Sequence, residues 1–376
     1  MPTNTFSDNH QQQLKKNILV NLNYRFNLET TFNDSLTAIY SQNAFFCFMA
    51  KFSLTLIFIG CLLFSVKSKA QENYLNYHSK VIECEQLIAE GKYSSAIDTF
   101  DSLFKQFDFS FLRDIKVATE LSAYQNDYQS GLQFTRMGIK AGWTLKSIKK
   151  NDNLQSLKKS SEWSKLLSEY DSLHQIYLSG LNPLLKEQVH EMFKKDQKKA
   201  LGALFRIGQK AKRRYSEKKF APHSEQQLEQ LEQILKEYGY PGERLTGNNL
   251  WGSVILSHHN SISVNYNSKD TIYAYLRPKL LNALKQGEIS PYELAQIEDW
   301  RTAALNNHAL TSYGFLGAIT DDTALETTNN NRNVIGLRSI SLRNDLIDVE
   351  NKTGMNLHLP KGWQNGKITV ATDAER

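Results

Sequence analysis

The chain is poor in cysteine and proline, with three and seven among 376 residues. Three cysteines exclude a disulfide-built scaffold. Scarce proline, 22% charged and 40% apolar residues exclude a collagen-like or wholly disordered chain. A mean hydropathy of −0.48 excludes a multi-span membrane protein. The sequence has no His-Glu-x-x-His pair, no Cys-x-x-Cys, no Gly-x-Ser-x-Gly elbow and no phosphate-cradling glycine loop. No metal site and no cofactor are therefore expected. The net charge of +6 is mild for this length, and nucleic acid is not an expected partner.

Met49-Ala-Lys, an apolar run from Phe52 to Val66, and Lys-Ser-Lys-Ala-Gln have the three parts of a secretory signal. Ser68 and Ala70 sit at −3 and −1 of a cut before Gln71. The rival reading is an uncleaved anchor over 44–66, close to the roughly 20 residues that span a bilayer but interrupted by Lys51. Phe58-Ile59-Gly60-Cys61 loosely resembles a lipobox. Residues 1–48 are polar and Asn/Gln-rich, and are read as an extension upstream of a true start at Met49. The expected location is exported, periplasmic or secreted, with membrane attachment only if 44–66 is retained. Cleavage leaves Cys84 alone and reduces the net charge of 71–376 to +3.

Residues 71–170 carry a helical repeat. Leu87-Ile-Ala-Glu-Gly91-Lys-Tyr93-Ser-Ser-Ala96 resembles the middle of a tetratricopeptide unit, with Gly91 in the helix–helix turn and Tyr93 opening the second helix. Tyr128 and Gly131 repeat Tyr93 and Ala96 thirty-five residues later, although Gly131 and Gly138 stand where the motif has Ala. Two units are fewer than a free solenoid needs. Leu154, Leu157, Trp163, Leu166, Leu167 and Tyr170 are expected to form a cap. Such a module either holds a protein or peptide partner or supports the next domain.

After a linker at 171–183, residues 186–219 hold twelve Lys/Arg and four Asp/Glu, a local +8 that leaves −5 for the rest of 71–376. Lys212, Arg213 and Arg214 are candidates for an anionic envelope polymer, though a solvated helix face explains the run as well. Val189, Phe193, Ala200 and Leu204 recur at helical spacing, and Asp196 lies in their stripe, where a carboxylate needs a partner. A second face follows at Leu228, Leu231, Leu235 and Tyr238, closed by Gly239.

A helix is predicted over 249–259, carrying Trp251, His258 and His259. Ser290-Pro291-Tyr292-Glu293 is a capping box that opens a third helix bearing Asp299 and Arg301. Residues 320–334 read as a flexible loop, and a small β-hairpin is expected near 313–340. Asp196-Gln197, Tyr238-Gly239-Tyr240-Pro241, Gly247, the helix ending at His258, Gly287-Glu288-Ile289, Ala295-Gln-Ile297-Glu-Asp299, Tyr313-Gly314 and Gly354-Met355 come in an order that resembles a bacterial exported domain family of unknown function, over about 184–360. That family tends to have Gln where Ser257 stands, Arg directly after the Asp where Trp300 precedes Arg301, and Gln at Thr311. Asn351-Lys352 replace its paired basic residues. The resemblance implies no activity.

The sequence thus predicts a mostly α protein: repeats, then a separate helical domain over 184–360 and a tail at 361–376. The leading expectation is binding or scaffolding at the cell envelope. The alternatives are an envelope-polymer hydrolase on His258, Asp299 and Arg301, and anionic-polymer binding. Trp251, His259, Tyr313 and Asp196 are candidate binding residues. His258 with Asp299 or Asp196 is the sharpest acid–base pair; the bland reading is a buried polar network joining three helices. His258 and His259 diverge by about 100° on a helix, which disfavours chelation.

Overall fold

The computed structural model describes residues 73–360 and 366–371. The polar extension at 1–48, the signal segment at 49–70, the 44–66 anchor and most of the tail lie outside them. Among the described residues no helix is long and apolar enough to cross a membrane. Residues 70–376 form one compact unit. It is built of helices, and the described residues contain no strand. The hairpin expected near 313–340 is absent. In its place are a helix at Asp322–Val334 and two isolated bridges, Leu310 with Ala318 and Ile319 with Val370.

Helices α1 (Tyr74–Ala89) and α2 (Tyr93–Gln106) pack as one pair, α3 (Leu112–Tyr124) and α4 (Tyr128–Lys140) as a second. Gly91 has φ +73°, which lets the turn between α1 and α2 close without a Cβ penalty. Ala96 is fully buried. Gly131 and Gly138 have a packing reason. A Cβ on Gly131 would stand 2.6 Å from a methyl of Leu157, and one on Gly138 would stand 2.7 Å from the Trp143 ring. Leu154, Leu157, Trp163 and Leu166 do cap the second pair, joined by Trp143 and Ile148. The segment 171–183 is largely helical, as α5 (Tyr170–Gly180).

The remaining major helices are α6 (Pro183–Leu204), α7 (Ala221–Glu237), α8 (Trp251–Asn260), α9 (Ile272–Lys285), α10 (Pro291–Leu305), α11 (Asp322–Val334) and α12 (Ile340–Thr353). The capping box of α10 is complete: Glu293 N donates to Ser290 Oγ, and Ser290 N donates back to the Glu293 carboxyl. Helices α6 to α10 enclose a core of Val189, Leu228, Leu231, Ile255, Leu276 and Leu294 with their neighbours. Leu342, Leu346 and Val349 of α12, followed by Met355 and Leu357, join the core of the amino-terminal helix pairs instead.

Helix α11 corrects the loop reading of 320–334. Its sequence, rich in Asn and Thr, has weak intrinsic helix preference. Asp321 caps it by accepting from Ala324 N. Its polar side chains then bond outward: Ile340 N donates to Asn329 Oδ1, Asn331 Nδ2 to Ser312 O, and buried Arg332 to the carbonyls of Tyr313 and Arg338. Tertiary hydrogen bonds supply what local propensity does not.

Candidate functional site

The predicted site residues fall into separate networks. His258 Nδ1 lies 2.5 Å from Asp196 Oδ2, joining α8 to α6. Asp196 is fully buried and the His258 side chain is 29% exposed, so solvent reaches the dyad from the imidazole side. Asp196 is thereby the partnered carboxylate that its place in an apolar stripe demands, although its Oδ1 has no hydrogen-bond partner among the described residues.

Asp299 is not the partner of His258. Its buried carboxylate organises the loop after α10. It accepts from Thr311 Oγ1 at 2.8 Å and from the backbone N–H groups of Ser312, Tyr313 and Phe315 at 2.7 to 2.8 Å. Burial pushes its pKa above the ordinary carboxyl range, and these donors pull it back. Tyr313 is buried beside it. Arg301 turns to Asp270, with Nη1 2.9 Å from Oδ2, and its guanidinium covers the Tyr273 ring. His259 is fully buried, its Nδ1 3.0 Å from Ser224 Oγ and its Nε2 3.4 Å from Asp270 Oδ1. Burial acts to raise Asp270, but His259 and Arg301 hold it down at about 2. Trp251 stacks on His190 with ring centroids 4.3 Å apart. The catalytic set read from sequence is thus distributed over three networks, in which Asp196 Oδ1 and His259 Nε2 have no hydrogen bond among the described residues.

Lys212 and Arg213 line an open cleft of about 860 Å³, shared with Ser263, Asn265, Trp300 and Asn307. Arg214 is not among its lining residues.

A different place gathers chemistry. A cavity of about 280 Å³ lies between the amino-terminal helix pairs and the carboxy-terminal helices. Its wall draws on α1 (His78, Glu85), α3 (Arg113, Asp114), the turn at Glu243, α10 (Tyr292, Glu293, Gln296), Arg338, and the segment after α12 (His358, Pro360). Asn249 and Leu250 at the start of α8 are exposed and form part of its rim.

Two guanidiniums anchor the wall. Arg338 donates from Nε and Nη2 to both oxygens of Glu85. Arg113 Nη1 reaches Glu85 at 2.7 Å and Asp114 at 2.9 Å. Both guanidiniums also lie over the Tyr292 ring, that of Arg338 at 5.1 Å and that of Arg113 at 5.7 Å from its centroid. Burial alone would raise Glu85, but Arg338 and Arg113 hold it below the ordinary carboxyl range. Asp114 is raised by burial despite Arg113.

Glu243 and Glu293 have no such cations; among the described residues neither forms an ion pair. Glu243 accepts from Leu112 N at 2.7 Å, and Glu293 from Ser290 and from the Tyr240 hydroxyl. Burial raises Glu243 to about 7 and Glu293 to about 8, and the charge of Glu243 adds to the shift of Glu293. His78, buried in the same wall, is pushed by burial down to about 3, and its Nε2 has no hydrogen-bond partner among the described residues.

Sequence reasoning missed this cavity. Glu293 was legible only as a cap residue, and Glu85 and Asp114 resemble ordinary charges on amphipathic helices. One signal existed: Glu85 directly follows Cys84 in the stripe Val81, Cys84, Ile88, so its helix position is near the buried face.

The chain matches no family model, no curated protein and no solved structure.

Proposed function

We propose that this protein is a binding module of the cell envelope that holds a small molecule in the cavity between its repeats and its carboxy-terminal helices. The carrying observation is the wall of that cavity. Segments far apart in sequence converge there, bringing four carboxyls, two guanidiniums and an unbonded imidazole nitrogen around an apolar-lined space. Strongly shifted titratable groups in one enclosed concavity mark binding and reaction sites more often than they mark packing. On this reading the repeats act as a platform rather than a peptide holder, because Leu342, Leu346 and Val349 of the chain's own α12 already pack into their core.

The test is a thermal-shift screen of fractionated envelope extract. A fraction that raises the melting temperature of the wild-type protein should leave Gln296→Trp unmoved, since the indole would occupy the cavity. Equal shifts in both proteins, or no active fraction, count against the proposal. A second reading, anionic-polymer binding, is favoured by the open cleft that places Lys212 and Arg213 beside Trp300 and a row of amide and hydroxyl side chains. Retention on heparin that is unchanged by Lys212→Ala with Arg213→Ala would remove it.

A further inference from the structure

The unequal pairing of charges around the cavity says more about its occupant. Glu85 and Asp114 neutralise Arg338 and Arg113 within the wall. Glu243 and Glu293 are left over. Lys116 acts on Glu243 electrostatically, but its ammonium lies over the Trp143 ring, 5.6 Å from the centroid, and Lys116 is not part of the cavity wall. His358 is turned to Glu120 at 3.0 Å. The wall therefore presents two more carboxyls than cations.

Two uncompensated carboxyls in a shared enclosed space are unfavourable for the empty protein, because each must either stay protonated or ionise against the other. Packing does not require them. The acceptor that caps α10 could equally be Gln, and an amide oxygen could accept from Leu112 N. Resting on the cavity reading above, we propose that the occupant is a small organic cation, an alkyl ammonium whose N–H groups are taken by Glu243 and Glu293. His78 supports this independently. Its buried Nε2 makes no hydrogen bond among the described residues, and a neutral imidazole can present that nitrogen as a third acceptor. A metal ion fits less well: among the described residues no group of three His, Cys, Asp or Glu side chains is arranged to hold one. A volume of about 280 Å³ is at the lower end for ligand pockets, so the molecule is of metabolite size and not a polymer.

The cation also carries a proton signature. Glu85, Asp114, Arg113, Arg338, His78 and His358 line the same cavity from α1, α3, the 338 turn and the carboxy-terminal segment. Among these charged and titratable groups, Glu243 and Glu293, raised to about 7 and about 8, are the pair that an arriving ammonium would ionise near neutral pH. Binding at pH 7 should release protons.

The experiment is isothermal titration calorimetry of the full chain with 1,4-diaminobutane and with uncharged 1,4-butanediol, in buffers of different ionisation enthalpy. Glu243→Gln, Glu293→Gln and Gln296→Trp are compared after their folded state is checked by circular dichroism. The diamine should bind with net proton release, the diol should not bind, and each Gln variant should weaken the diamine at least ten-fold. Diol binding equal to diamine binding, a Gln variant that binds like wild type, or no diamine binding at millimolar concentration overturns the cation. Loss of a fraction's or the diol's binding in Gln296→Trp would still leave the cavity as a site. Diamine binding that persists in Gln296→Trp overturns both proposals, because the diamine would then sit elsewhere.

Discussion

Replacing Glu85 by Ala tests whether the charge cluster holds the amino-terminal helix pairs to the carboxy-terminal helices. Glu85 belongs to α1, and its two oxygens are engaged by Arg338, 253 residues away in sequence, and by Arg113 of α3. Both Glu85 and Arg338 are almost completely buried. Burial pushes the Arg338 guanidinium down to about 10 even with Glu85 raising it, and removing the carboxylate leaves that buried cation without its partner. Arg113 retains Asp114 at 2.9 Å and the carbonyls of Leu357 and His358, so the loss falls chiefly on Arg338. Breaking one side of a buried ion pair costs about 3–5 kcal/mol. That is a large share of the roughly 5–15 kcal/mol by which a domain is stable. The matching fall in melting temperature is about 10 °C, measured by circular dichroism together with urea unfolding. A double variant, Glu85→Leu with Arg338→Met, should recover most of the loss, because paired apolar replacement of a buried ion pair is often close to neutral. Lys80→Ala removes the exposed Lys80–Glu83 pair and should change stability by under about 1 kcal/mol. A Glu85→Ala loss below about 1 kcal/mol, or a double variant no better than the single, would refute the reasoning.

Three further outcomes follow from the same geometry. Glu243 and Glu293, raised in the folded chain from 4.5 to about 7 and about 8, contribute stability that is complete below pH 4.5 and is lost as pH rises through those values. His78, lowered from 6.5 to about 3, works in the opposite sense below 6.5, so the urea midpoint should fall between pH 6.5 and 8, and fall less in Glu293→Gln; a flat wild-type profile there contradicts the assignment. Asp299→Asn places an amide –NH₂ against backbone N–H donors and should cost about 2–4 kcal/mol. It should also speed hydrogen exchange at Ser312, Tyr313 and Phe315, and unchanged exchange there would show that the carboxylate does not hold the loop. Gly138→Ala would bring a Cβ to 2.7 Å from the Trp143 ring and should destabilise by about 1–3 kcal/mol with a shift in tryptophan emission; a silent substitution would mean the ring moves aside freely.

The mostly helical fold was legible where a local rule carries it. Ser290 and Glu293 form the capping box their spacing predicts, Tyr93 and Tyr128 open their helices, and Gly91 takes the positive φ its turn needs. It was not legible where distant groups decide. The Asn-rich stretch 329–331 reads as a loop on propensity, yet it is helical, tied to Ser312 and Ile340 and followed by Arg332, which is buried against the carbonyls of Tyr313 and Arg338. Periodicity placed Asp196 on a core face and so demanded a partner for it, and the sequence left His258 to pair with Asp299 or Asp196; the fold gives it to Asp196, 62 residues away. Asp299, the other candidate partner, turns its carboxylate back to the loop that directly follows its own helix.

A buried polar group is accounted for structurally when its partners complete its hydrogen bonding and its charge. Asp299 meets that standard with at least four donors. Asp270 meets it with Arg301 and the neighbouring His259, and Glu85 with two guanidiniums. Asp196 Oδ1 and His259 Nε2 also lack a hydrogen bond among the described residues but lie outside the cavity wall, whereas Glu243, Glu293 and His78 fall short of the standard within it. Two carboxyls lack cations, one imidazole nitrogen lacks a bond among the described residues, and all three border one cavity. None of this was readable from the chain. A Glu at helix position N3 is commonplace, and a His four residues after Tyr74 on an amphipathic helix gives no sign of burial. What separates a site from a structural network here is the remainder after internal pairing, and that remainder exists only once segments as distant as His78 and Glu293 have been brought to the same wall.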